Sequence, residues 1–158
     1  MTVLSCGVLL YRYREGSLQV LLAHPGGPFW ATKDKGVWSI PKGILEINED
    51  PLEGAKREFR EETGHEVEGD FIDLGELKQP SRKIVHAWAV EGDLDASAIE
   101  SNTFALEWPK HSGIVREYPE IDRAEWFGLH EARTKMSQGQ LGFLDRLVEV
   151  AGGSRDPG

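Results

Sequence analysis

Cysteine is almost absent from this chain. Cys6 is the only one in 158 residues, so no intrachain disulfide can form and the fold must be held by its core. A chain of this length hides about 70% of its unfolded surface, which is enough to fold without a covalent or metal staple. Cys6 itself lies in an apolar run and reads as a small core residue rather than a nucleophile. Basic residues are also scarce. Eighteen Lys and Arg face 27 Asp and Glu, a formal net charge of −9. A field of that sign disfavours nucleic-acid duplexes and anionic membranes as partners. No stretch approaches the ~20 apolar residues of a membrane span, and the first residues lack the basic and apolar parts of a leader. A cytoplasmic protein without a membrane anchor is the expectation. Repeats and low-complexity tracts are missing too, so one domain over residues 1–151 is expected, with a frayed tail over 152–158.

What is present reads as alternating strand and helix. Residues 3–13 and 18–23 are β-rich and are separated by Arg14-Glu15-Gly16-Ser17, a hairpin signal. Residues 29–36 read as an exposed loop, and 37–40 as a short strand stopped by Pro41 and Gly43. Residues 67–77, 83–90 and 125–127 carry strand character. Residues 92–113 read as a loop with at most one helical turn. Residues 129–136 and 140–150 read as helices. Together these predict an α/β (α+β) fold with a mixed sheet between helices. The most explicit signal is a helix over 51–63. Asp50 is placed to cap it, Pro51 to open it and Gly64 to close it. Leu52, Ala55 and Phe59 form its apolar stripe.

The same helix has an acidic face. Glu58, Glu61 and Glu62 stand at i, i+3 and i+4, so their carboxylates crowd together and should raise one another's pKa. A hard divalent cation, Mg²⁺ or Mn²⁺, relieves that repulsion because it prefers carboxylate oxygen. Taken alone, the pattern more often marks an ordinary solvated acidic face.

The wider context favours the metal. The segment GILEINEDPLEGAKREFREETGH, from Gly43 to His65, resembles the Nudix box Gx5Ex7REUxEExGU, in which U is apolar. Every charged residue and both glycines match. The departure is His65 in the last apolar place, which touches local packing more than the carboxylates. WSIPKG, from Trp38 to Gly43, is similar to the lead-in of the diadenosine polyphosphate hydrolase branch. SRKIVHAWAVEGDLD, SNTFALEWP and EIDRAEWF resemble a bacterial set of predicted NTP pyrophosphohydrolases.

The resemblance implies the Nudix fold and a metal-dependent hydrolase that cleaves a diphosphate linkage in a nucleoside diphosphate linked to a group X. Its partner would be a small phosphorylated nucleotide, favouring a nucleoside triphosphate or dinucleoside polyphosphate. ADP-ribose or a nucleotide sugar is the alternative. It also implies metal ligands from Glu58, Glu61 and Glu62 with a backbone carbonyl at Gly43, a catalytic role for Arg57, and a structural role for Gly43, Glu49 and Gly64. Arg57 and Glu49 would pair and hold the loop against the helix. Glu120, six residues before Trp126, falls where several members carry a further catalytic or metal-binding glutamate.

Lys42 is the first candidate for a substrate phosphate, with Arg82 and Lys83 behind it. Trp30, in a Gly/Pro-rich loop, is the candidate for base stacking, whereas Trp88 and Trp126 read as core. His24, His86 and His111 show no ligand spacing and read as structural. A non-catalytic ligand sensor on the same scaffold is the rival from another class. Such modules usually lose box carboxylates, and here Glu49, Glu58, Glu61 and Glu62 are all present.

Overall fold

The structure is a computed structural model, and it describes residues 3–152. Strand β1 (Leu4–Arg14) turns through Glu15 and Gly16 into β2 (Ser17–Pro25). Both turn residues have positive φ, 52° and 83°, the two-residue geometry that suits the twist of a hairpin. The other strands are β3 (Lys42–Ile44), β4 (Ile72–Lys78), β5 (Ile84–Glu91), β6 (Thr103–Glu107), β7 (Val115–Pro119) and β8 (Ile121–Gly128). The helices are α1 (Pro51–Thr63), α2 (Leu129–Lys135) and α3 (Leu141–Leu147). The main sheet runs β4-β5-β1-β2-β8, with β3 also paired to β1. Only the β1–β5 ladder is parallel. The expected mixed sheet between helices is therefore the observed architecture.

Alternation along the central strands supplies both faces of that sheet. Cys6, Val8 and Leu10 of β1, with Leu21 and Trp88, pack on Ala55 and Phe59 of α1. Leu9 and Tyr11, with Val20, Leu22 and Ala87, pack on Phe143, Leu144 and Leu147 of α3. Trp38 is in the second core, 1% exposed, edge-on to Phe127 and His24. Its indole N–H donates to Asp34.

One feature of the sheet positions the site. β1 and β2 are paired from Tyr11↔Val20 to the hairpin turn. Nearer the start of β1, its partner is β3, through Ser5↔Ile44, Cys6↔Gly43 and Gly7↔Lys42. The β2 side is bridged to Ser39 by two backbone bonds with Ala23, of 2.8 and 3.0 Å. Residues 39–44 thus fill a fork between β1 and β2. The fit is tight, since a Cβ on Gly7 would lie 2.7 Å from both Lys42 Cβ and the Pro41 carbonyl oxygen.

Several boundaries differ from the sequence expectation. Residues 38 and 39 form isolated bridges rather than a strand, and the ladder falls on Lys42–Ile44, past Pro41. The missing N–H of Pro41 is immaterial there, because its carbonyl accepts from Val8 N–H at 3.2 Å. The segment 92–113 does contain one helical turn, Ala96–Ala98, but also β6, which pairs with β7. Alternating exposed and half-buried positions in β6 gave too weak an apolar period to read. β8 is longer than expected, and α3 gives way at Val148–Gly152 to a wider turn of π type. The predicted tail, apart from Gly152, lies outside the described residues. Among the described residues, no helix is long and apolar enough to cross a membrane.

Cys6 is fully buried, and burial pushes its thiol up to about 11. We expect a thiol reagent at pH 8 to label Cys6 at the rate of global unfolding, and promptly in denaturant. Stoichiometric labelling within seconds under native conditions would contradict this packing.

Candidate active site

Helix α1 begins and ends as its sequence demands. The Asp50 side chain accepts from Glu53 N–H at 3.2 Å, and Pro51 opens the first turn. Gly64 closes it at φ 77°, donating to the Arg60 carbonyl. His65, the departure from the box, sets its Nε2 2.9 Å from the Ala98 carbonyl. That bond, instead of an apolar contact, ties the helix exit to the 96–98 turn.

Arg57 organises the middle of the helix. Its Nε and Nη2 grip both oxygens of Glu49 at 2.7 and 3.0 Å. Nη1 donates to Glu58 at 2.7 Å and Glu61 at 3.1 Å, and Nη2 also reaches the Ile44 carbonyl at 3.2 Å. The Arg57 and Glu49 side chains are each 16% exposed, so this is more than a solvated surface pair. The guanidinium holds the Glu49 carboxyl below its ordinary range. Glu49 in turn accepts from Glu46 N–H, which folds the loop between β3 and α1 onto the helix. Gly54 is needed where this loop crosses, because a Cβ there would meet Leu45 at 2.7 Å and Glu49 at 2.9 Å.

The acidic face is not uniformly solvated. Burial pushes the Glu62 carboxyl up to about 8, with the charges of Glu58 and Glu120 adding to the rise. Lys42 N–H, which donates to Glu62 at 3.1 Å, and the Lys42 ammonium act in the opposite direction. Burial also raises Glu58, against the pull of Arg57. Mutual repulsion raises both residues, as the sequence implied, and desolvation is the larger cause at each. Gly43 lies directly against Glu58: a Cβ would sit 1.9 Å from its Oε1. Any larger residue at position 43 would displace that carboxylate.

Glu120 arrives from the other side. Together with Glu62, Lys42, Ser39 and Ile40 it lines a cavity of about 140 Å³ at the mouth of the β1–β2 fork. A run of backbone bonds places it there. Asn102 N–H donates to the Glu61 carbonyl, Glu120 N–H to the Asn102 carbonyl, and Gly26 N–H to the Glu120 carbonyl, at 2.8, 2.8 and 2.9 Å. Gly26 admits no side chain, since a Cβ would sit 1.9 Å from the Pro119 carbonyl oxygen. Asn102 and Gly26 were not anticipated from the sequence: both act through backbone atoms, and the one mark this leaves in the sequence is the glycine required at 26.

The remaining candidates divide. Lys42 is partly buried, and burial lowers its ammonium pKa, while Glu62 raises it and the charge of Lys83 lowers it further. Lys83 lines a second cavity next to the first, whereas Arg82, at φ 71° in the turn before β5, lies outside the residues lining either one. Trp30 stacks edge-on against Phe29 with ring centres 4.7 Å apart and also lies outside both linings. Trp88 is in the core, stacked on His86 at 3.9 Å. Trp126 is only partly buried, beneath the Arg12 guanidinium at 4.1 Å. His24 is fully buried between Asp122 and the Lys33 carbonyl, a structural setting.

The donor set suits a hard divalent cation. The groups the sequence put forward, the carboxylates of Glu58, Glu61, Glu62 and Glu120 with the Gly43 carbonyl, are all oxygen, and a cation would offset the negative charge gathered around Glu62. The carboxylates are not already gathered for it. Among the described residues, no three His, Cys, Asp or Glu side chains converge on one metal position, and Arg57 occupies the space between Glu58 and Glu61.

Comparisons with known proteins bear on the family and the fold. Residues 1–147 match the NUDIX domain family. Nudix hydrolase 7 of Arabidopsis thaliana is 27% identical over 82% of the chain and 40% of its own length. The chain spans 25–40% of the length of the curated relatives it matches. Among solved structures, a C. elegans Ap4A hydrolase binary complex aligns with a TM-score of 0.67 and 20% identity, over 94% of this chain and 98% of that one. The Nudix domain of Shewanella oneidensis NrtR complexed with ADP ribose aligns with a TM-score of 0.66 and 15% identity, over 94% and 88%. At these identities the structural matches establish the shared fold.

Removing Arg57 should leave three carboxylates without their common partner. We expect Arg57→Met to lower the unfolding free energy by about 3 kcal/mol in metal-free urea titrations, the scale for breaking a part-buried charged network. The double variant Arg57→Met/Glu49→Gln should lose clearly less than the sum of the single losses. Additive losses would mean that the two residues act independently.

Proposed function

We propose a diphosphate hydrolase, and the premise is membership: this chain belongs to the Nudix family. The substrate class is a nucleoside diphosphate linked to a further group, favouring a nucleoside triphosphate or a dinucleoside polyphosphate. The observation that carries the reading is the small cavity where Glu62 and Glu120 face Lys42, at the end of a box that keeps every charged residue.

A bound Mg²⁺ or Mn²⁺ would neutralise the diphosphate and acidify a water. Glu58, Glu61, Glu62 and Glu120, with the Gly43 carbonyl, are the residues that would hold it. Arg57 fixes Glu58 and Glu61 in position, and Glu49 fixes Arg57. Water adds to one phosphorus, the bond from that phosphorus to the bridging oxygen breaks, and two phosphorylated products leave. Glu120, close to the reacting diphosphate, either accepts the water's proton or serves as a further ligand. Lys42 meets a substrate phosphate as a point charge that follows Glu62 through their shared contact. No covalent intermediate is needed, in keeping with the buried Cys6.

The Ap4A hydrolase neighbour supports the polyphosphate preference, and the NrtR domain complexed with ADP ribose supports the alternative. Incubation with a panel of nucleotides, with and without Mg²⁺, and product masses separate these readings. Turnover should vanish in excess chelator. Glu61→Gln and Glu62→Gln should each lower kcat at least about 100-fold, the scale of losing a major charge-stabilising group, with the fold retained. The wild type should show a higher kcat/KM for diadenosine tetraphosphate or a nucleoside triphosphate than for ADP-ribose, and Lys42→Ala should narrow that gap. Turnover in chelator, or a preference for ADP-ribose under saturating Mg²⁺, would overturn the respective part.

A further inference from the structure

A second cavity, of about 350 Å³, adjoins the carboxylate-lined one. Val37, Ser39 and Lys42 line both, so the two meet along these three residues. The second cavity differs sharply in chemistry. Lys42 and Lys83 supply its charge, Ser5, Ser81 and Ser137 supply hydroxyls, and no Asp or Glu is among its lining residues. In a chain of net charge −9 this is a local reversal of sign. Lys83 makes no ion pair within 4.0 Å among the described residues, and it lines the same space as Lys42. Two lysines facing one space repel each other, and an anion between them removes that repulsion while accepting hydrogen bonds from both.

The wall carrying Lys83 is built rather than loose. In the turn between β4 and β5, Gln79 N–H donates to the Lys83 carbonyl at 2.7 Å and Arg82 N–H to the Gln79 carbonyl at 2.9 Å. The Gln79 amide donates to the Gly139 carbonyl at 2.9 Å, which anchors the turn to the segment before α3. Gly139 leaves room for this, since a Cβ would fall 2.4 Å from Gln79 Oε1. Across the cavity, Gln140 is 3% exposed and locks Ser39 and Ile40 from the far side, at 2.9 and 3.1 Å. The two lysines therefore project from walls joined through consecutive residues, 139 and 140.

We propose that this second cavity seats the phosphates of the substrate beyond the diphosphate being cleaved, with Lys83 as the residue that recognises chain length. The inference rests on the proposed hydrolase reading, because it takes the cleaved diphosphate to lie among Glu58, Glu61, Glu62 and Glu120. A polyphosphate chain leaving that point passes Lys42 and enters a space lined with donors. An ADP-ribose diphosphate carries no further phosphate to place there.

The experiment has a kinetic and a binding arm, run on wild type, Lys83→Ala and Lys83→Arg. Lys83 is exposed, so the variants should melt within a few degrees of wild type. In the kinetic arm, Lys83→Ala should raise the KM for a nucleoside triphosphate, relative to that for ADP-ribose, at least about tenfold, with the main change in KM rather than kcat. Lys83→Arg should recover most of the loss. An equal change for both substrates, or none, would overturn the proposal and leave diphosphate hydrolysis standing. In the binding arm, inorganic tripolyphosphate is titrated calorimetrically in the presence of chelator, where no turnover occurs. Wild type should bind it and Lys83→Ala should bind at least about tenfold more weakly; equal affinities would overturn the proposal. Competitive inhibition of nucleotide turnover by tripolyphosphate supports a substrate subsite, whereas purely noncompetitive inhibition would make the cavity a separate anion site and overturn the proposal. If wild type cleaves no nucleotide at all, the hydrolase reading fails and the binding arm alone decides whether Lys83 forms a polyphosphate site.

Discussion

Everything at the site depends on where Arg57 puts its five donors. One guanidinium bonds Glu49, Glu58, Glu61 and the Ile44 carbonyl, four groups that belong to a strand, a loop and a helix. A planar fork with fixed donor directions can do this, and a lysine with its single ammonium could not reproduce the two-point grip on Glu49. The consequence is geometric: the loop from Ile44 to Asp50 cannot move without moving α1. Three carboxylates that would otherwise repel are also held close, Glu49 and Glu58 at low exposure and Glu61 nearer the solvent. The 1.9 Å approach of Glu58 to a virtual Cβ on Gly43 measures how closely strand and helix are drawn together.

The fork between β1 and β2 is the second constraint, and it complements the first. A sheet with continuous β1–β2 pairing would leave no opening for residues 39–44. Because β1 takes β3 as its partner near its start, the chain carrying Pro41, Lys42 and Gly43 is threaded between two strands and lies against the C-terminal half of α1. Trp38 and Gln140 hold the thread from the core side, which gives WSIPKG a packing role that precedes any contact with substrate. Glu120 is then delivered to the same opening from the far edge. Its main chain is placed by the succession of amides from Glu61 through Asn102 to Gly26, with Ile121 N–H bonded to the Ser101 hydroxyl beside it.

How much of this could be read from sequence follows from which interactions are local. The 51–63 helix and its caps were legible because spacing along one helix fixes them, whereas the Arg57–Glu49 pair came with the Nudix resemblance. Glu120 was legible only through resemblance, since 58 residues separate it from Glu62 and the linking bonds are all main-chain. The β6–β7 hairpin was missed because its strands are largely solvated, so the alternation that reveals a half-buried strand is faint. The segment 37–40 was read as a strand and proved to be bridges, because the ladder position beside β1 is taken two residues later by Lys42. The mutual repulsion expected among the glutamates was outweighed by burial, which no pattern of charges along a sequence reports.

The charge distribution explains how so acidic a chain could handle an anionic ligand. Carboxylates are gathered on α1 and at Glu120, at the cavity where divalent charge would be brought in. Lysines are gathered immediately beyond, where no acid lines the wall. The boundary between the two regions is one residue. Lys42 gives its N–H to Glu62 and shares a cavity with Lys83, so its ammonium is coupled to the charge at Glu62. Burial of Lys42 sharpens that coupling, because screening by water is weakest where both groups are desolvated. A surface lysine at the same distance would respond weakly. The tight fit around Gly7 that buries the Lys42 stem thus does electrostatic as well as steric service, and it links the close packing of the β1–β2 fork to the chemistry at its mouth.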